Sequence, residues 1–497
     1  MGWARALVGA VAIVAAAALL LSGGGEADPR TPAGLPGMPP PFLGVAVLGE
    51  GELTAAVDAY GNVVDLRAPG PAGRALIENP ADRQGAGTVP ADTGIQVRVR
   101  LGGGPALPMW RADAVRQRYL PGTNVLRTVA RFGSRRVGIE EAIHGRLALV
   151  VDGGGAEVQL RVNAAGGVVT RSPKVLAAAA ASDRRWLRNS RPLGGGAPPW
   201  ARELYERSLL ALHALTDRRT GAVAAGARDG WAYVWPRDAA AVAIALAAAG
   251  HQPEAKLIVQ FLLGAGIEQT ARFNGDGSPV PGRGPQGDAI GWVAAAAKAT
   301  GVIGSARRAA HILAGDHPIP WRNRPDYREQ DPGDYLGNAL SSAADVSEIS
   351  RHIWGVSSDT PWGRRLVREA GDPESGLDSA AAWGVRPFPH PALYPAIRRT
   401  LNALVASGGR FGITPGEGWD GGEDPWSAPT AWSAWSLAAL GERRQALRLL
   451  RALRRSATPA GMLPERVDAE TGVPRSTTPL AWSHAFAILA LRELWPD

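Results

Sequence analysis

The chain has 497 residues, enough for two or three domains and a large core. Lys and Arg number 54 against 46 Asp and Glu, a formal net charge of +8, and there is no cysteine, so disulfides, thiolate metal sites and cysteine nucleophiles are excluded. The arginines stand scattered or in isolated pairs (Arg135-Arg136, Arg307-Arg308, Arg454-Arg455); this reads as solvated helix faces and argues against a nucleic-acid partner.

The first segment, residues 1–27, reads as a signal peptide or membrane anchor. Arg5 precedes an apolar run from Ala6 to Leu21, and Gly25-Glu26-Ala27 offers a small-x-small cleavage site. Uncleaved, the run reaches the roughly 20 residues that span a bilayer. The expected location is extracellular, or anchored on the outer face of the cell membrane. Residues 28–43 follow as a Pro/Gly-rich linker that includes Pro39-Pro40-Pro41.

From 44 to 165 the signal is of strands. Seven short segments, beginning at Val45, Leu53, Val63, Ile95, Val125, Leu147 and Val158, are separated by turn sequences such as Gly102-Gly103-Gly104 and Asp152-Gly153-Gly154-Gly155. Many short strands with Gly-rich turns predict an antiparallel β-sandwich domain. A connector spans 166–199, with a helix expected from Lys174 to Leu187. From 200 to 497 helices dominate, with candidates at about 200–216, 237–249, 253–266, 287–300, 303–314, 335–353, 361–370, 376–384, 391–406, 428–440, 442–455 and 480–494. Their unequal connections suit six antiparallel helical hairpins closed in a ring, and equally an open superhelix.

Chemistry concentrates in three inter-helix loops. Trp231-Ala232-Tyr233-Val234-Trp235-Pro236-Arg237-Asp238 joins flat aromatic faces for a sugar ring to an Arg and an Asp for its hydroxyls; Asp238 also suits the first turn of a helix, where negative charge is favoured. The second loop runs from Pro320 and Trp321 to Arg328-Glu329, and the third joins Pro464-Glu465-Arg466 to Trp482-Ser483-His484. Each offers a glutamate near aromatic residues, and one protonated plus one ionised carboxyl are the tools for hydrolysing a glycosidic bond. Asp326 and Glu348 are rivals to Glu329. Trp426 and Trp482 suit core packing as well as a sugar pocket, and His484 reads as a structural histidine. No spacing suits a metal, and no cofactor is expected.

The segment from Thr220 onward resembles family 15 glycoside hydrolases, the glucoamylases and glucodextranases. The resemblance rests on Thr220-Gly221-Ala222-Val223 with Tyr233-Val234-Trp235-Pro236-Arg237-Asp238, then Asp276-Gly277-Ser278 and Pro285-Gln286-Gly287-Asp288, then Pro325-Asp326-Tyr327-Arg328-Glu329. It continues through Gly376-Leu377-Asp378-Ser379, Gly421-Gly422-Glu423-Asp424-Pro425-Trp426 and Leu463-Pro464-Glu465, in family order. It implies a mainly α fold, an (α/α)6 barrel behind an N-terminal antiparallel β-sandwich. It implies an exo-acting, inverting hydrolase that releases glucose from the non-reducing ends of α-glucosides or α-glucans. Glu329 is then the acid and Glu465 the base, ~6.5–9.5 Å apart. Tyr233, Trp235, Arg237, Asp238, Trp321, Trp426 and Trp482 bind the sugar, Arg466 helps hold Glu465 ionised, and a monomer acting on an oligosaccharide or polysaccharide is expected. Three positions depart from the pattern: Arg328 stands where Trp is usual, Arg466 where Gln is common, and Arg410-Phe411 lies further from Glu417-Gly418-Trp419 than usual. Arg328 and the shifted Arg410 motivate an alternative, a carbohydrate-binding protein that has lost turnover.

Overall fold

A computed structural model of the chain describes residues 39–77, 94–162, 168–227, 230–267, 269–284, 286–302, 335–341, 353–354, 364–419 and 422–497. The apolar N-terminal segment and the helix candidate at 303–314 lie outside the described residues. Among the described residues no helix is long and apolar enough to cross a membrane.

The N-terminal part is two sheets. One orders β1 (Gly44–Gly49), β2 (Thr54–Asp58), β3 (Val63–Ala68), β5 (Ile95–Arg100) and β11 (Glu157–Val162), with β4 (Arg74–Ile77) on β3 and β6 (Ala106–Pro108) on β5. The other orders β12 (Val169–Thr170), β10 (Arg146–Asp152), β9 (Arg135–His144), β8 (Leu126–Phe132) and β7 (Ala114–Tyr119). Pairing is antiparallel except between β10 and β12. The sheets pack through β1 and β9, and the Tyr119 hydroxyl donates to the Val47 carbonyl at 2.7 Å. Strands occupy all seven expected places, and β4, β6, β7, β9 and β12 add five that sequence reading passed over. At the turn after β2, buried Asp58 accepts from the backbone N–H groups of Phe42, Tyr60 and Asn62. This carboxylate ties the incoming chain to the first sheet.

Helix α1 (Pro173–Leu187) lies across β9 and β10, burying Leu176, Ala179 and Ala180 against Val125, Ala142 and Ala148. Nine more helices follow among the described residues: α2 (Pro199–Ala214), α3 (Pro236–Ala248), α4 (Gln252–Gly264), α5 (Ala289–Thr300), α6 (Leu336–Ser341), α7 (Tyr394–Ser407), α8 (Ser427–Ala439), α9 (Arg443–Ser456) and α10 (Ala481–Leu494), with a 3₁₀ helix at Ser379–Gly384. Contacts run α3 to α5, α5 to α6, α6 to the 3₁₀ helix, then to α8, to α10 and back to α3. Helices α2, α4, α7 and α9 pack outside this circuit.

Composition explains who sits inside. Helices α3, α8 and α10 are buried on nearly every face, as helices apolar all round must be, and their Ala and Ser residues permit close neighbours. Helix α9 alternates buried Leu and Ala with exposed arginine, the pattern of an outer helix.

One expected helix is a hairpin instead. Residues 365–369 and 372–377 form β14 and β15, with Ile353-Trp354 (β13) beside them. Ala370-Gly371 closes the turn between Glu369 and Asp372, and Gly371 has φ +76°, a two-residue hairpin that helical spacing does not reveal. The helix expected over 335–353 is described as α6 and then as strand at 353–354.

The tightest approach in the ring is at Gly291, where an added Cβ would lie 1.9 Å from the Ser341 carbonyl oxygen. Gly291→Ala should therefore destabilise by about 1–3 kcal/mol, despite alanine's better helix propensity of roughly 1 kcal/mol. Gly103→Ala, with nothing within 4 Å of its Cβ, should stay within about 0.5 kcal/mol of the parent. Urea unfolding of both variants checks this, and equal effects would contradict the close approach.

Candidate active site

The inner helices α3, α5, α8 and α10 begin at one end of the circuit, and the loops that feed them are laced together by isolated bridges: Gly226 to Leu480, Ile413 to Trp426, and Trp426 to Arg466. At this end stands Arg237, 8% exposed, in the first turn of α3. Its guanidinium lies 3.2 Å from Asp238 and 3.3 Å from Asp288, the residue that opens α5. It also stacks 4.2 Å above the ring of Trp482 in α10. One side chain thus joins the starts of three inner helices.

Asp238 is buried. Desolvation pushes its pKa up to about 6; the Arg237 charge pulls it down, and the charges of Asp288 and Glu465 push it up further. The last influence places Glu465 close to this cluster.

Glu465 is held at four points. Its backbone N–H donates to Thr477 at 2.9 Å, and its carbonyl accepts from the Ser427 N–H at the start of α8 at 3.0 Å. One carboxylate oxygen, Oε1, accepts from the Trp231 indole N–H at 3.3 Å, and the other, Oε2, from the Ser476 hydroxyl. The Ser427 hydroxyl donates to the neighbouring Pro464 carbonyl, within 2.8 Å of the Ser483 hydroxyl. Both oxygens of Glu465 serve as acceptors, the role of a carboxylate.

Among the expected sugar-binding residues, Trp482 backs Arg237 and packs edge-on against Trp432. Trp426 opens α8 and stands 6.1 Å from Trp419. Trp235 opens α3, buried with Ala225 and Ala271, and its indole N–H has no hydrogen-bond partner among the described residues. Tyr233 lies 5.0 Å from the Arg272 guanidinium and lines a cleft of about 600 Å³ between the β3–β4 turn and Asn274-Gly275-Asp276. Glu329, its rivals Asp326 and Glu348, Arg328 and Trp321 lie outside the described residues.

The Arg466 guanidinium reaches Asp424 at 4.0 Å, and its backbone bridges Trp426. Arg410 is exposed, its carbonyl accepting from Arg455 at 2.8 Å. The buried arginine on this side is Arg368, 3.2 Å from Asp378 and donating to the Glu417 carbonyl at 2.7 Å, with Trp419 at 5.4 Å. Sequence reading missed it because the hairpin that carries it read as helix. It also passed over Ser476, and it quoted Trp231 without giving it a role. His484 is structural as expected: Nε2 accepts from the Leu463 N–H, so Nδ1 carries the proton toward Ser208. Burial drives its pKa down to about 3.

Asp238 makes a pH prediction. In the unfolded chain it ionises near 3.8, and in the folded protein near 6. Between these values the folded state holds the extra proton, so its contribution to stability falls as pH rises through that window. The penalty stands in full above pH 6 and vanishes below 3.8, and its ceiling is about 3 kcal/mol. Asp238→Asn cannot ionise. Relative to the parent it should gain on the order of 1–3 kcal/mol between about pH 4 and pH 7, read from urea unfolding at both. A difference that stays flat with pH would contradict the buried charge.

No family model and no curated protein matches the chain. Among solved structures, a bacterial glucoamylase complexed with acarbose aligns over 95% of this chain and 95% of that chain, with TM-score 0.69 and 14% identity. A protein described as a wild-type glycosidase covers 60% of this chain and 99% of its own, with TM-score 0.49 and 20% identity. A glucoamylase from Saccharomycopsis fibuligera covers 59% and 94%, with TM-score 0.45 and 16% identity. The first alignment spans both the sheets and the helical circuit: the chain has the overall fold of a bacterial glucoamylase.

Proposed function

We propose that the protein is a glycoside hydrolase on an (α/α)6 barrel, releasing glucose from the non-reducing ends of α-glucosides with inversion. The observation that carries this is Glu465, a carboxylate gripped at both oxygens beside the buried Arg237–Asp238 pair, on a fold shared with a glucoamylase.

In this reading Glu465 is the general base. Trp231 and Ser476 hold its oxygens in place, so it takes a proton from a water that attacks the anomeric carbon. Glu329 is the general acid on the opposite face and gives its proton to the leaving glycosidic oxygen. Attack and departure from opposite faces turn an α-linkage into β-glucose. Arg237 and Asp238 hold hydroxyls of the terminal sugar, and Trp482, Trp426, Trp235, Tyr233 and Trp321 shape the pocket.

Glu465→Gln keeps the shape and the Trp231 contact and removes the base. Glucose release should fall by about 10²–10⁴-fold while oligosaccharide binding survives. Proton NMR of fresh product from maltooligosaccharide, isomaltooligosaccharide or trehalose should show β-glucose first. The α-anomer first would overturn inversion, and binding of these sugars without glucose from any of them would favour the binding-protein reading.

The proposal includes export. The run Ala6–Leu21 would deliver the chain to, or beyond, the outer face of the cell membrane. Fractionation of expressing cells should recover the protein with membranes or outside the cell, and recovery in the cytosol would remove this part of the proposal.

A further inference from the structure

Helix α9 has six arginines in 14 residues and no Asp or Glu. Arg443, Arg444, Arg448, Arg451, Arg454 and Arg455 are all exposed. At 3.6 residues per turn they fall within an arc of roughly 140° along a helix of about 21 Å. The opposite face buries Ala446, Leu449, Leu450 and Leu453 against the domain.

Helix stability does not explain this arc. Arg443 and Arg444 sit in the first turn, where the helix dipole disfavours positive charge. No glutamate stands in the helix to pair at i,i+4. Among the described residues no carboxylate lies within ion-pair distance of any of the six. Arg443 donates to the Leu494 carbonyl and Arg455 to that of Arg410, contacts that leave the charge in place. Burial, and then the charges of Arg410, Arg451 and Arg448, hold the Arg455 guanidinium below its ordinary value. The arc therefore carries uncompensated charge, and its chemical complement is an extended anionic surface.

The entry point of the chain selects which surface. Just beyond α9, the Thr458 hydroxyl donates to the Val45 carbonyl in β1. The Tyr60 hydroxyl donates to the Pro39 carbonyl, close to where the described chain starts. The end of α9 thus adjoins the strand fed by the linker, and the apolar run Ala6–Leu21 lies on the far side of that linker. The intervening residues reach at most roughly 60 Å, so a bilayer holding the apolar run is never far from α9.

We infer that the arginine face of α9 is a docking surface for an anionic phospholipid bilayer, which seats the helical domain against the membrane. The inference rests on the proposed membrane anchoring by Ala6–Leu21 and is independent of the hydrolase reading, so a failure to release glucose leaves it standing.

The absence of cysteine allows a single dye to report on the face. The full-length chain with Arg444→Cys, labelled with an environment-sensitive fluorophore, is mixed with phosphatidylcholine vesicles with or without phosphatidylglycerol. Anchoring by the apolar run puts the chain on both vesicle types, so the difference between them reads the helix face. The expected result is a blue shift, and quenching by brominated lipid, with phosphatidylglycerol alone. This response should fade as salt shortens the screening length toward about 3 Å at 1 M. Changing Arg448, Arg451, Arg454 and Arg455 together to Gln should weaken it at least about tenfold, while changing all four to Lys should retain it. An equal response to both vesicle types, or an undiminished response in the Gln variant, overturns the inference. A response to a soluble sulfated polysaccharide but not to vesicles overturns it in favour of a polymer partner.

Discussion

The end of the molecule where the inner helices begin depends on how one buried guanidinium is shared. Arg237 has 8% of its surface exposed and two carboxylates, Asp238 and Asp288, within 3.3 Å. A buried ion pair is costly to assemble and costlier to break, since removing one partner strands the other without water. Arg237 belongs to α3, Asp288 opens α5, and the Trp482 ring under the guanidinium belongs to α10. Sliding any of these helices along its neighbours would separate charges in a low-dielectric interior. The cluster therefore fixes helix register at the end where the chemistry is proposed. The positive ends of the helix dipoles lie on the same side and temper the excess of carboxylates there.

That cluster can form only because the inner helices approach closely. Helix α3 presents Ala on most of its faces, α8 interleaves Ala with Ser and Thr, and Gly291 of α5 leaves no room for a methyl group beside Ser341. Two of the hydroxyls this introduces bond to backbone carbonyls: Thr430 donates to that of Trp426 and Ser436 to that of Ala382. The Trp432 indole N–H reaches across to the Ser379 carbonyl at 3.0 Å. Large aromatic rings fill the remaining space, with Trp292, Trp383, Trp432 and Phe486 meeting edge to face. A helix of small residues and a few large rings can lie inside, whereas α9, with leucine on one side and arginine on the other, can lie only outside.

These rules decide what could be read from the sequence. Apolar residues at helical spacing, bounded by Pro or Asp at one end and Gly at the other, located α3, α5, α8 and α10 to within one or two residues. Alternation and Gly-rich turns located the sheets. The hairpin at 365–377 was not legible, because its register is set by the two-residue turn at Ala370-Gly371 and by pairing with β13, neither of which leaves a period in the sequence. Its misreading hid Arg368. Arg237, Asp238 and Glu465 were legible as residue types on constrained loops beside aromatics. Their partners were not, since Trp231 lies 234 positions from Glu465 in the chain. Nor was the contact between Arg466 and Asp424, 42 positions apart, legible in the sequence.

The grip on Glu465 gives the clearest physical reason to read this end as catalytic. A surface glutamate needs no fixed backbone, and a core glutamate needs no access. Glu465 is half-buried, with backbone N–H and C=O both engaged and with one donor on each carboxylate oxygen. Those donors come from two separate loops, one leading to α3 and one to α10. Holding a flexible side chain so firmly sacrifices rotamer entropy of up to about 2 kcal/mol. The arrangement makes sense if the carboxylate must meet a water and a sugar carbon in one orientation, because positioning of that kind lowers the barrier of the reaction itself.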